Sequence, residues 1–303
     1  MIKNYVKIAL RNLKKHKVYS IVNILGFAVG IACCLLILIY VLDELSYDKF
    51  YSNADRIYRV VNYGVVNNRI DYTARSSPPL AKVLAEEFPE VEAVTKCRNY
   101  GFPVFRYKDK VFSEERVFAV DQTFFDVFKV SIIRGNLRTA LNLPNAIVLT
   151  RAMAEKYFGD EDPLGKIINS DNRQDYLVTA VIDDVPGNSH FKFDFLRSLE
   201  SREDARSPVW VFNDFYTYVL LREGANPRDL EAKLFEVVKL HIDPFLQQVL
   251  GISVDQFLEG GGDFRYYFQS LTDIHLRSHL DFELEPNGDI AYVYIFMTIA
   301  IGI

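Results

Sequence analysis

The sequence predicts a mixed α/β (α+β) extracytoplasmic domain built from β-α-β units, carrying a second subdomain inserted into it and anchored by an N-terminal transmembrane helix. Three observations lead there. No charged residue occurs from Val18 to Leu42. Two stretches in the remainder alternate strand, helix and strand patterns in the same order. A third stretch of about a hundred residues separates them.

The apolar run comes first. As a helix it would reach about 37 Å, longer than a hydrocarbon core of about 30 Å. It is too long for a secretory leader, and Ile31-Ala32-Cys33 only loosely resembles a lipoprotein cleavage box. The flanks differ in sign. Residues 1–17 carry Lys3, Lys7, Arg11, Lys14, Lys15 and Lys17 and no acid, whereas Asp43, Glu44 and Asp48 follow the run. This bias places the N-terminus in the cytoplasm and residues 43–289 outside it. Within residues 1–17, Ile2, Tyr5, Val6, Ala9, Leu10 and Leu13 share one helical face and the cations the other, the pattern of a cytoplasmic amphipathic helix lying on a membrane. Gly26 and Gly30 offer a close-packing face to another span.

The extracytoplasmic stretch begins with a stem at 43–56, expected to continue the first span as a helix. A strand over Arg56–Val66, a helix over Leu80–Phe88 started by Pro78-Pro79, and a strand around Glu92–Tyr100 make the first β-α-β unit. Between Phe102 and Val120 a meander is expected, turning at Lys108-Asp109. A helix follows over 121–130, then the strand Asn145–Thr150 and the helix Arg151–Phe158 with Gly159 as its left-handed cap. A hairpin over 166–185 turns at Asp171-Asn172. The second unit is a strand at Phe215–Glu223, a helix after Asn226-Pro227 running to Ile242, and a strand from Phe264 to Leu276. The expected domains are 57–103 with 210–282, and 104–209 inserted between them. Residues 283–303 are read as a returning stem and the truncated start of a second transmembrane helix, because Ile290–Ile303 is apolar and charge-free.

Composition narrows function. A net charge of −5 argues against nucleic acid as a partner. Cys33, Cys34 and Cys97 cannot form a disulfide framework and are read as small buried hydrophobes. Among the histidines only His275 and His279 have helical i,i+4 spacing, and they fall where a strand ends, so no metal site is assigned. Gly159–Ile167, "GDEDPLGKI", is near a phosphate loop but has one residue too many and no hydroxyl after Lys166. Asp183-Asp184 and Asp160-Glu161-Asp162 are read as solvated turns. No catalytic, cofactor-binding or metal residue is assigned, and no enzyme activity is expected.

Several stretches together carry a family likeness: "RNLKKHKVYSIVNILGFAVGIAC", "DELSYDKFYSNADRIYRV", "AIVLTRAMAEKYFGDEDPLGKII", "YLVTAVIDDVPGNSHFKFDFL" and "YTYVLL". The sequence resembles an FtsX-like, MacB-type ABC transporter permease with its MacB-like periplasmic core domain, over essentially the whole chain. The resemblance implies a porter-like subdomain at 57–103 and 210–282 and a sabre-like subdomain at 104–209. It also implies four spans per permease, a separate ABC ATPase subunit, a second permease copy, the lipid bilayer, a periplasmic adaptor in some members, and a bacterial inner membrane location. Coupling would be mechanical, for export or for transmembrane signalling. A membrane-anchored sensor domain of a signalling receptor shares this layout and stays open as the alternative.

Overall fold

The computed structural model describes all residues except Met1, Asn67 and Ser201, and the side chains of Ile2, Lys3, Val6, Ala9 and Leu10 also lie outside the described set. The chain divides into two units, residues 1–46 with 288–303, and residues 47–287.

The first unit is helical. α1 spans Ile2–Lys15 and α2 spans Lys17–Glu44. Four residues of the apolar face expected in α1 are among the undescribed side chains, while Tyr5 and Leu13 of that face are exposed. The 28 residues of α2 are long and apolar enough to cross a membrane. The last helix of the chain, which spans Ile290–Gly302, starts where Asp289 accepts a hydrogen bond from the Ala291 amide at 2.8 Å. It packs on α2 through Tyr40 against Phe296 and through Cys34 Sγ, 3.6 Å from the Ala300 carbonyl. A Cβ at Gly30 would come within 3.3 Å of Ile303, so one glycine of the Gly26–Gly30 pair serves close packing and the other meets nothing within 4 Å.

The second unit is one mixed sheet of 13 strands among the described residues. β1 (Ile57–Val66) and β2 (Arg69–Thr73) form a hairpin. α3 (Leu80–Glu87) leads to β3 (Val91–Asn99). β4 (Val104–Tyr107) and β5 (Lys110–Ser113) pair across Lys108, and β6 (Val117–Val120) precedes the single turn α4 (Phe124–Val127). Then come β7 (Ile132–Gly135), β8 (Ala146–Thr150), α5 (Arg151–Phe158), β9 (Ile167–Ser170), β10 (Gln174–Ile182) and β11 (Phe195–Ser198). β12 (Tyr216–Leu221), α6 (Pro227–Leu250), α7 (Val254–Glu259), β13 (Asp263–Ser270) and α8 (Ile274–Arg277) complete it, and Ile290–Gly302 is therefore α9.

The two β-α-β units are present but interlocked. Strand order is β13-β1-β12-β3 with every adjacent pair antiparallel. Each unit therefore straddles one strand of the other, the split arrangement of ferredoxin-like folds. α3 and α6 lie on one face, closing a core that contains Val60, Leu84, Val219, Leu234, Val238 and Phe268. The opposite face carries an aromatic core with Phe124, Phe128, Phe191, Phe193 and Tyr218. A third core, around Phe105, Tyr157, Phe158 and Phe195, joins α5 to β4 and β8–β11. The sheet runs on from β3 to β6 through Cys97–Asn99, then through β11, β8, β10 and β9 to the β4–β5 hairpin.

Several expectations are corrected. Residues 45–56 are not a helix continuing α2. The helix ends at Glu44, where the Ser46 hydroxyl donates to the Asp43 carbonyl at 2.7 Å, and Asp48 sits at φ +59°, a left-handed conformation no α-helix continues through. The meander fails because β6 leaves β5 to pair with β3 and β11. α6 does not stop at Ile242. It passes Pro244, and the carbonyl that this proline orphans belongs to Leu240, which is exposed. The last strand ends at Ser270, so His275 sits in the short α8. β2, β7, β11 and α7 were not foreseen. The Asp171-Asn172 hairpin tip is found, with both residues at positive φ, and Gly159 caps α5 at φ +61°.

Candidate functional site

Several of the residues singled out for chemistry make structural contacts. Asp183 pairs with Arg151, and Asp184 Oδ1 accepts the Ala152 amide at 2.9 Å, so the acidic pair caps the start of α5. Lys156 Nζ and the Tyr157 hydroxyl donate to buried Glu114 Oε1 at 2.7 and 2.6 Å. Burial first, then this carboxylate, pushes the Tyr157 phenol up, so it stays a donor. In the near-phosphate loop Glu161 pairs with Lys108 and Asp162 with Arg134 at 3.3 Å. Two of its three acids thus meet cations, and its turn is set by Gly165 at φ +73° with its amide on the Val178 carbonyl. His275 is buried and stacked on Tyr47, with ring centroids 3.3 Å apart. His279 is exposed, and among the described residues no three His, Cys, Asp or Glu side chains converge on one point. Burial pushes the Cys97 thiol well up.

What sequence reading missed is a chain of buried polar groups on the sheet face opposite α3 and α6. At its centre is Arg59 on β1, fully buried, opposite Tyr218 on β12 and Gln269 on β13. Its guanidinium donates to Glu283 at 2.6 and 2.8 Å, to Gln269 Oε1 at 2.7 Å and to Ser278 Oγ at 3.1 Å. Ser278 Oγ in turn donates to Glu283 at 2.5 Å. Burial disfavours the charges of both Arg59 and Glu283. The mutual hydrogen bonds and attraction outweigh that, raising the arginine and holding the carboxyl below its ordinary range.

At the other end is Asp48, also fully buried. Its carboxylate accepts the Ser189 hydroxyl at 3.1 Å and the His190 amide at 3.2 Å, and its own amide donates to the Asn188 carbonyl at 2.9 Å. His190 Nδ1 lies 2.9 Å from Asp48 Oδ2, at ion-pair distance but off the line of a hydrogen bond. The far ring nitrogen, Nε2, meets the Tyr218 hydroxyl at 2.8 Å. Burial pushes the Tyr218 phenol well up, so it remains neutral.

Asp48 stands four residues after α2, and Glu283 seven before α9. The segment that begins the α/β unit and the one that ends it are thus fastened to one sheet face by buried polar side chains, Asp48 beside His190, which reaches Tyr218, and Glu283 on Arg59, the residue opposite Tyr218 in the sheet. The arrangement holds backbone in place. Phe282 shows the constraint. It sits at φ +61°, unfavourable for a bulky residue. The Tyr216 hydroxyl donates to its carbonyl at 2.8 Å, and the Arg75 guanidinium stacks 4.1 Å from its ring. The only sequence hint was the charge of Arg59 inside an otherwise apolar strand.

Fold and site together define a mixed α/β domain tied at both ends, joined to an N-terminal helix long and apolar enough to cross a membrane. Residues 20–236 match the MacB-like periplasmic core domain, and the chain belongs to that family, whose domain occurs in permeases of ABC-transporter type. Among solved structures, a domain assigned to a permease protein from Porphyromonas gingivalis is similar, at 25% identity and a TM-score of 0.61. That match covers 73% of this chain and 91% of that one. The periplasmic region of MacB from Actinobacillus actinomycetemcomitans matches at 16% identity, covering 62% and 85%, with a TM-score of 0.46. The extracellular domain of the noncanonic ABC-type transporter YknZ from Gram-positive bacteria matches at 15% identity, covering 70% and 99%, with a TM-score of 0.47. No curated protein matches the chain.

Proposed function

We propose that this chain is part of a permease subunit of an ABC transporter in a bacterial inner membrane, working mechanically and not as an enzyme. A separate ATPase hydrolyses ATP in the cytoplasm, two permease copies move, and the motion reaches the periplasmic domain through 47–56 and 278–287. Residues 1–17 lie in the cytoplasm, 43–289 in the periplasm, and α9 belongs to a second span. The porter-like part is 57–103 with 210–282, the sabre-like part 104–209. Two cores support that division, one confined to each part, while the aromatic core on the face opposite α3 and α6 joins the parts.

The observation that carries this reading is the anchoring of Asp48 and Glu283 on one sheet face. A tether would need no buried polar anchor at either end, whereas a transmitter of force needs both ends fixed to something rigid. The test uses the full-length permease with its ATPase in proteoliposomes. Trapping the ATPase with vanadate is expected to change amide exchange in 47–56 and 278–287. Unchanged exchange in both would rule out mechanical coupling through them. Topology is read separately in cells lacking Cys33 and Cys34. A cysteine at exposed Asp109 should react with an impermeant maleimide in spheroplasts and one at Lys14 only after permeabilisation; the reverse pattern would end the reading.

A further inference from the structure

On the helix-covered side of the sheet lies an open groove of about 910 Å³, a volume within the range of small-molecule sites. Its apolar wall is the second half of α6, with Ile242, Leu246 and Val249, together with Trp210 and Phe257. Its floor is the β1–β2 hairpin. There Gly64 leaves a notch, and Asp71 is its cross-strand partner, with Arg69 opposite Val66. Arg69 and Asp71 stand two apart on one strand, so they share a face, and both line the groove. Both are exposed, and among the described residues neither makes an ion pair. The groove's other acid, Asp263, is taken up by Arg265 at 3.1 Å and by the Phe264 amide.

The groove therefore offers an apolar trough with one free cation and one free anion together at its floor. A purely apolar guest would leave both charges beside it unmatched, and a singly charged one would attract one and repel the other. A head group bearing both signs matches both, and a single chain fills the trough. We propose that this groove is a binding site for a single-chain zwitterionic amphiphile, its chain between α6 and the sheet and its phosphate and ammonium against Arg69 and Asp71. This goes beyond the transport reading and does not depend on it.

Trp210 is the only tryptophan of the chain and lines the groove, so its emission reports occupancy. The experiment titrates the full chain, kept soluble in an amphipathic polymer free of phospholipid, with dodecylphosphocholine below its micelle concentration. A saturable blue shift is expected. Dodecyl maltoside, with the same chain and no charge, should bind about fivefold more weakly or worse, and Arg69→Glu should weaken dodecylphosphocholine by about fivefold, the size of an exposed charge contact. Gly64→Leu should abolish binding. A Cβ there meets its nearest atoms only at 3.9 Å, so the side chain enters the groove without displacing the backbone. Circular dichroism checks its fold, and Arg69→Glu, at an exposed position, tests the site even if Gly64→Leu fails to fold. No saturable shift, equal binding of the two amphiphiles, or unchanged affinity in Arg69→Glu would overturn the proposal.

Discussion

Arg59 and Glu283 are 224 positions apart, yet both terminal guanidinium nitrogens of one reach the two carboxylate oxygens of the other, at 2.6 and 2.8 Å. The arginine side chain is wholly buried and the glutamate nearly so. Such a pair contributes little net stability compared with apolar residues of the same volume, but losing one partner strands a charge. Its value here is positional, because it fixes where the outgoing segment leaves the sheet.

Glu283→Ala should therefore destabilise the α/β unit by about 3–5 kcal/mol. Arg59→Met alone should cost a similar amount. The double variant Arg59→Met with Glu283→Leu should lie closer to wild type than either single change, because no charge is left unpaired. Urea denaturation of the three checks this. A double variant as unstable as the sum of the singles would mean that the two residues act independently and that the cost of each single change is not a stranded charge.

The same contact sets an acid limit. Glu283 is held below its ordinary value of 4.5, since burial, which raises it, is outweighed by Arg59 and Ser278. A depressed folded-state pKa gives stability that is complete above 4.5 and lost as pH falls through the folded value. Wild type should lose more stability between neutral pH and the acid side of 4.5 than Glu283→Gln does, so the two curves converge in acid. Parallel curves would show that the carboxylate gains nothing from its partner.

Gly135, at the end of β7, sits at φ +92° with its α-carbon against β10. A Cβ there would lie 2.4 Å from the Thr179 carbonyl oxygen and 2.9 Å from Ala180 Cα, both backbone atoms that cannot swing aside. Strain and overlap add, so Gly135→Ala should cost at least about 2 kcal/mol. Gly101, also at φ +90° but with open space, separates the two causes. Gly101→Ala should cost only the conformational part, about 1 kcal/mol. Equal losses at the two positions would show that the crowding at Gly135 relaxes.

The elements that could be read from sequence are those whose signals are local. The apolar length of α2, the Gly159 cap, the Asp171-Asn172 turn and the strand-helix-strand order all depend on neighbours a few residues away. The interlocking of the two units could not be read, because β12 enters between β1 and β3 from more than a hundred residues downstream. The polar clamp was hidden for the same reason. Asp48 looked like the acidic flank of a membrane helix and Glu283 like the flank of the next, and only folding brings both to the face that holds Arg59 and Tyr218. The helical stem was misjudged because Leu42, Leu45 and Lys49 recur at helical spacing, while nothing local shows that Asn188 and His190 pull Asp48 into a left-handed turn.

That turn yields the last prediction. Asp48 has two tasks. Its backbone adopts φ +59°, which Asp and Asn tolerate better than Ala, and its carboxylate satisfies the Ser189 hydroxyl and the His190 amide. Asp48→Asn keeps the backbone tolerance and one acceptor oxygen and should cost about 1–2 kcal/mol. Asp48→Ala loses both and should cost about 3 kcal/mol, since the buried His190 amide is left unmatched and alanine resists the left-handed backbone, while the Ser189 hydroxyl keeps the Phe191 carbonyl at 3.2 Å. Amide exchange in 47–56 should speed up in Asp48→Ala, with the β1 amides less affected, because β1 is held by β12 and β13 on either side. On the mechanical reading proposed above, this variant should weaken coupling to the proposed ATPase, while Ser46→Pro, placed after the end of α2, should do so less. If Asp48→Ala leaves exchange in 47–56 at the wild-type rate, the buried carboxylate does not hold the incoming segment, and the rigid connection must lie elsewhere.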